Sequence, residues 1–349
     1  MATSRHATAR VALVAAIILL STLHSPLTTS LAAPSGPTPR DLTPAAVKAI
    51  DKGLSALAKS QRSDGSWAYT RYGSGGSGGH VGITGLAGIA LLAGGNQPGR
   101  GTYGQNVERA VQYVVKCTHP RTGYINSGNT RMYSHGFATL FLAEVYGMTR
   151  REDVRGPLIR AINLIENCQN PQGGWRYTPT PVDADISVTI CQIMALRAAR
   201  NAGIRVSRGV INKGIKYVKG CQNGDGGFSY VLGSRGSGYA RTAAGVCSLY
   251  YAGTYGDKAI TRGLNYMAKQ HPITGRAGHY YYGHYYAVQA MYQAGGKYWS
   301  GYFPKMRDQL VKTQEPSGTW QAATGGSFET AVALIILQVP YGYLPILQR

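Results

Sequence analysis

Lys52-Gly53-Leu54-Ser55-Ala56-Leu57-Ala58-Lys59-Ser60-Gln61-Arg62-Ser63-Asp64-Gly65-Ser66-Trp67 holds a frame that recurs along the chain. A basic residue is followed by a small one, then by Gln nine along, Gly thirteen along and an aromatic fifteen along. Two further copies fit completely: Arg160-Ala161 with Gln169, Gly173 and Trp175, and Lys213-Gly214 with Gln222, Gly226 and Phe228. Three more are partial: Arg109-Ala110 leading to Tyr124, Arg262-Gly263 leading to Gly275, and Lys305 leading to Gln314, Gly318 and Trp320. The starts near 52, 109, 160, 213, 262 and 305 lie 57, 51, 53, 49 and 43 residues apart. Even spacing of this kind marks a repeat architecture.

Within a copy the first segment has helical spacing, as in Val47, Ile50, Leu54 and Leu57. A Gly, Ser and Pro-rich loop follows the aromatic, then a more apolar helix such as Gly85 to Leu92 or Val188 to Ala199. A helix apolar on most sides is a buried one, so the second helices should form an inner ring and the first helices an outer ring. A helix pair cannot bury its own face, and six pairs can close on themselves. The fold expected is all-α, a single (α/α)6 toroid over 45–349, with an open solenoid as the alternative. In the turn, glycine allows a left-handed backbone, the aromatic anchors the loop and the Gln amide satisfies helix-end groups. Its first role is structural.

This frame resembles the QW repeat of squalene and oxidosqualene cyclases and of the related protein prenyltransferase β subunits, a terpenoid cyclase-type α/α toroid family. The resemblance covers nearly everything from Ala45 onward. Gly173-Gly174-Trp175 followed by Asp183-Ala184-Asp185-Ile186-Ser187 looks like the Asp-x-Asp-Asp-Thr acid motif of squalene-hopene-type cyclases. The resemblance implies Asp185 as the alkene-protonating acid, with Asp183 and a rim histidine such as His135 tuning it. Ile186 stands where that motif has its third acid. The residues alone give a second reading, an Asp that caps an inner helix and complements its dipole. The resemblance also implies two barrels for a squalene cyclase and one, with zinc held by Asp, Cys and His, for a prenyltransferase β subunit. The chain has residues for one barrel, and Cys247 and His284 fall near such ligand positions. Gly245 occupies the place of the Asp, so neither a metal nor another cofactor is expected.

In an up-down ring the N-termini of all inner helices point to one mouth, where pocket residues should gather. The expected substrate-binding set is His80, Arg241, His284 and Glu329 on the rim, with Tyr250 and Tyr281 below, drawn from 25 tyrosines. A hydrophobic or isoprenoid-like small molecule is the expected ligand. A polysaccharide-active site would require Asp185 and Glu329 to face each other within roughly 5–9 Å.

The N-terminus reads as an export signal over 1–33: Arg5 and Arg10, the apolar run Val11 to Leu20, then Ser30-Leu31-Ala32-Ala33. An uncleaved anchor is the alternative. Residues 34–44 read as a linker. The net charge of +21, from 36 Lys and Arg against 15 Asp and Glu, favours anionic partners. For an exported protein these are a membrane surface or wall polymer; nothing patterns as a nucleic-acid reader. The competing function is therefore a non-catalytic envelope binding or scaffold protein that uses this basic surface. The five cysteines do not form a disulfide framework: Cys117, Cys168 and Cys221 share one frame position on successive outer helices, beyond bridging distance.

Overall fold

A computed structural model describes residues 39–69, 78–128, 130–270, 273, 279–321 and 326–348. The expected signal segment, residues 34–38 of the linker and Gly275 lie outside these.

Among the described residues twelve α-helices alternate between two layers. The outer helices are α1 (Pro44–Lys59), α3 (Gly104–Lys116), α5 (Glu152–Asn167), α7 (Arg208–Gly220), α9 (Lys258–Gln270) and α11 (Gly296–Thr313). The inner ones are α2 (Val81–Ala93), α4 (Met132–Thr149), α6 (Ile186–Asn201), α8 (Tyr239–Tyr251), α10 (Tyr280–Ala294) and α12 (Ser327–Gln338). Every residue of α2 is buried, whereas α3 buries only one stripe, Val107, Ala110, Val111 and Val114, besides Gly104. Each inner helix packs on the next, and α12 returns to α2. The ring is closed.

The repeated frame now has a physical explanation that reaches between copies. The Gln61 amide donates both to the Gly65 carbonyl of its own turn and to the Asn106 carbonyl of the next outer helix, each at 2.9 Å. Gln169 and Gln222 repeat this on Val210 and Ala259. Gln314 reaches Ala49 at 2.8 Å, so the last copy clamps the first. The turn glycine lies with positive φ against the carbonyl of the next copy's basic residue. A Cβ on Gly318 would meet Lys52 O at 2.7 Å, at φ +92°. The small residue beside that base makes room for the preceding aromatic: a Cβ on Gly53 would meet the Trp320 ring at 2.8 Å. Buried indoles then donate to the carbonyl ten residues back, Trp67 to Leu57, Trp175 to Ile165 and Trp320 to Leu310.

Both ends of the described chain pack on the ring. The linker joins the fold at Asp41, whose carboxylate accepts from Trp299 Nε1–H at 3.0 Å and whose carbonyl accepts from Arg307. At the other end, the tail after α12 forms two 3-10 turns, Val339–Tyr341 and Pro345–Leu347. It contacts α12 and α10 and then α6, closing the end of the ring where the inner helices finish, with Leu344 and Ile346 buried. All five cysteines are free thiols.

Candidate functional site

The mouth is built where the loops after the turns feed the inner helices. An inner helix starts with unpaired N–H groups, and here the neighbouring copy takes several of them. Val81 N–H donates to Ser127 Oγ at 2.9 Å, Met132 N–H to Tyr177 O at 3.0 Å and Ile186 N–H to Tyr230 O at 2.9 Å. Three expected site residues take others. His80 Nδ1 accepts from Ile83 N–H at 3.2 Å, Asp185 Oδ1 from Val188 N–H at 2.8 Å, and Glu329 Oε2 from Gly326 N–H at 3.1 Å. At α2, α6 and α12 part of the positive helix end is thus spent on side-chain capping, whereas α8 and α10 have no side-chain cap.

Asp185 is wholly buried and Asp183 exposed, and Arg176 joins them. Its guanidinium lies 3.6 Å from Asp185 Oδ2 and 3.4 Å from Asp183 Oδ2. The same group sits over the rings of Tyr177 at 4.8 Å and Tyr230 at 5.3 Å, whose hydroxyls are hydrogen-bonded to each other. Burial pushes the Asp185 carboxyl up from the usual range, while the Val188 N–H and Arg176 oppose that shift. Oδ2 has no hydrogen-bond donor, so it is the atom on which a proton would reside. An alkene-protonating acid must carry that proton at the moment of reaction. The guanidinium beside the carboxyl favours the ionised form and so offsets part of the effect of burial.

His135 is turned away from this group. Its Nδ1 accepts from Ile125 N–H at 3.1 Å and its Nε2 lies 3.3 Å from Ala161 O, joining the second turn to α5. Burial lowers its pKa to about 4. His284 also faces the outer layer, with Nδ1 2.9 Å from Tyr302 OH on α11. Tyr250 lies in the last turn of α8, at the opposite end of the ring from the mouth, 6.1 Å from Tyr255. Arg241 folds over its own loop to the Gly236 carbonyl. Tyr281 packs edge-on to Tyr280. The expected set is thus dispersed: Asp185 and Asp183 meet at Arg176, His80 and Glu329 cap helices, His135 and His284 join layers, and Arg241, Tyr250 and Tyr281 contact residues of their own segments. Asp185 and Glu329 begin opposite inner helices, α6 and α12. Among the described residues no three His, Cys, Asp or Glu side chains converge in a way that would hold a metal.

The residues that sequence reasoning missed are Arg176, Tyr177, Tyr230, Tyr133 and Tyr282. A signal exists for the last: Tyr282, Tyr285 and Tyr286 occupy i, i+3 and i+4 of α10, one helical face. That face crosses the ring. Tyr282 meets Tyr133 at 6.4 Å and Tyr285 meets Phe137 at 5.8 Å, both edge-on, and both partners are on α4, diametrically opposite α10. Tyr282 OH donates to Ser187 O at 3.1 Å, and Tyr286 OH lies 3.1 Å from Cys191 Sγ, both on α6. Tyr285 and Tyr286 are buried and Tyr133 and Tyr282 half-buried, and together they carry aromatic packing and lateral hydrogen bonds across the ring axis.

The prenyltransferase alpha-alpha toroid domain model matches residues 85–281, more than half of the chain. The chain belongs to that family. Among curated proteins none matches the sequence. Solved structures share the fold of this toroid at low identity. A variant of the type II terpene cyclase MstE from Scytonema, in complex with geranylgeranyl dihydroxybenzoate, superposes with a TM-score of 0.63 at 14% identity, covering 86% of this chain and 98% of that one. An inactive variant of an alpha-1,6-mannanase from Salegentibacter, in complex with alpha-1,6-mannotriose, gives 0.62 at 7%, covering 84% and 98%. A protein from Actinoplanes gives 0.58 at 17%, covering 85% and 99%. One toroid thus serves proteins acting on terpenoids and on mannan, and the fold alone does not choose a chemistry.

Proposed function

We propose that this toroid is a non-catalytic binding protein of the cell envelope, exported by its N-terminal segment and using its basic surface on anionic partners. The observation that carries this reading is the aromatic bridge across the axis, where α10 tyrosines touch α4 on the far side of the ring. A cyclase needs a chamber there to fold its substrate, and an acid free to give up a proton. Here the corresponding carboxylate caps α6 and faces Arg176. The charge of +21 supplies attraction to anionic lipid or wall polymer.

Incubation of the purified protein with squalene and with a geranylgeranyl-bearing phenol tests this. No product is expected from wild type or from Asp185→Asn. A cyclised product made by wild type and lost in Asp185→Asn would overturn the reading.

A hydrophobic small molecule at the mouth is the second reading. It is favoured by the aromatic group of Tyr133, Tyr177 and Tyr230 beside the donor-free Asp185 Oδ2. The terpene cyclase relative holds an isoprenoid substrate. A ligand of that class entering here requires Tyr282 and Tyr285 to swing from the axis. A lipid of defined mass retained in native mass spectrometry, and lost on Tyr282→Trp, is the outcome that favours it.

A further inference from the structure

A groove of about 700 Å³ runs along the outside of the ring, between α5 and the segment that joins α6 to α7. Its α5 wall includes Arg155, Ile159 and Glu166, twelve residues from first to last and so about 16 Å of helix. Its other wall includes Ile204, Arg205, Val206 and Arg208.

The groove is preformed because its loop wall is pinned at both ends. Gly203, at φ +82°, turns the chain out of α6. Just before it, the Ala202 carbonyl accepts from Arg150 Nη1 at 2.6 Å. At the far end Ser207 N–H donates to Glu166 Oε1 at 2.6 Å. A site already held open does not lose ordering entropy when it is filled.

Its chemistry is divided between floor and rim. Ile204 is buried, and Ile159 and Val206 are half-buried, giving an apolar floor. Arg155, Arg205 and Arg208 are exposed, and among the described residues none of them is ion-paired. Arg151 and Arg176, by contrast, hold carboxylates. The lining holds three guanidinium groups and one carboxylate, Glu166, whose Oε1 accepts from Ser207. That leaves an excess of two positive charges beside an elongated apolar trough. A phosphate monoester has the complementary charge and three acceptor oxygens, and an alkyl chain fits the trough.

We infer that this groove binds a phosphate-headed, single-chain lipid, with the head on Arg205 and Arg208 and the chain along Ile159, Ile204 and Val206. The inference rests on the anionic-partner reading above and gives it a specific place.

The test is calorimetric titration of the protein with dodecyl phosphate below its micelle concentration, beside inorganic phosphate and neutral dodecyl maltoside. Wild type is expected to bind dodecyl phosphate at one saturable site, and the other two at least tenfold more weakly. Arg205→Gln/Arg208→Gln, on exposed positions, should lose at least tenfold in affinity, and Lys269→Gln/Lys312→Gln, elsewhere on the outer layer, should lose none. Absence of a single saturable site, equal binding by both double variants, or equal binding of the maltoside overturns the groove. Phosphatidylglycerol vesicles separate the two claims. Vesicle binding by wild type with no titratable site overturns the groove alone, and failure of wild type to bind vesicles overturns the envelope reading.

Discussion

The third and second copies build the same corner from different residues. In the third, Gln169 spans the turn and α7, and Gly173 N–H closes a tight turn on Asn170 O. Trp175 is buried, and its N–H is taken by Thr189 Oγ1 at 3.1 Å. In the second, Thr118 stands in the Gln slot and spends its hydroxyl on Val114 O of its own helix. Gly123 N–H reaches back four residues to His119 O, so the turn holds one more residue. The aromatic slot falls on Ile125 instead of the expected Tyr124, with His135 in place of the threonine. Both copies keep the glycine against the next basic residue's carbonyl. The comparison separates what the corner requires, a glycine and a buried plug, from what only strengthens it.

The largest test of that separation is removal of the plug. Trp175→Ala is expected to cost about 4 kcal/mol and Ile125→Ala about 3 kcal/mol in urea unfolding. A negligible loss at Ile125 would show that the second corner is held by other contacts.

His135 sharpens the comparison through pH. Burial lowers its folded-state value to about 4, against 6.5 for the free side chain. The neutral ring therefore contributes stability that is complete above about pH 6.5 and is lost as pH falls towards 4. The span corresponds to up to about 3 kcal/mol. His135→Thr, which installs the residue of the other copies, should flatten the dependence of the urea midpoint between pH 6.5 and 4. An unchanged slope would remove His135 from the account.

The smallest effect concerns the clamp. Gln169→Ala removes two hydrogen bonds and should cost about 2 kcal/mol, whereas Thr118→Val should cost about 0.5 kcal/mol. Equal losses would mean that the interhelix bond to Val210 adds nothing.

Much of the fold was legible because each copy repeats its own local requirements. The Gln, Gly and aromatic spacing located five of the six corners among the described residues, with a one-residue error where Thr118 and Ile125 replace the usual types. The contrast between wholly apolar α2 and striped α3 identified the two layers. The candidate site was far less legible. Asp185 was found as both motif member and cap, but Arg176 carries no local mark that sets it apart from the other basic residues. His135 and His284 lie on inner helices near the mouth, and only their helical phase turns them to the outer layer.

Linear spacing was enough to establish a two-layer helical repeat, and the packing of α12 on α2 chose the closed ring over the open solenoid. Left-handed glycines, apolar faces and a repeated corner are local chemistry, which linear spacing records directly. Only the tertiary structure decided whether the ring is open inside. That depends on which face of α10 points across to α4, on Arg176 meeting Asp185, and on the tail from Val339 closing the far end. These contacts join residues distant in sequence, and no local propensity encodes their meeting.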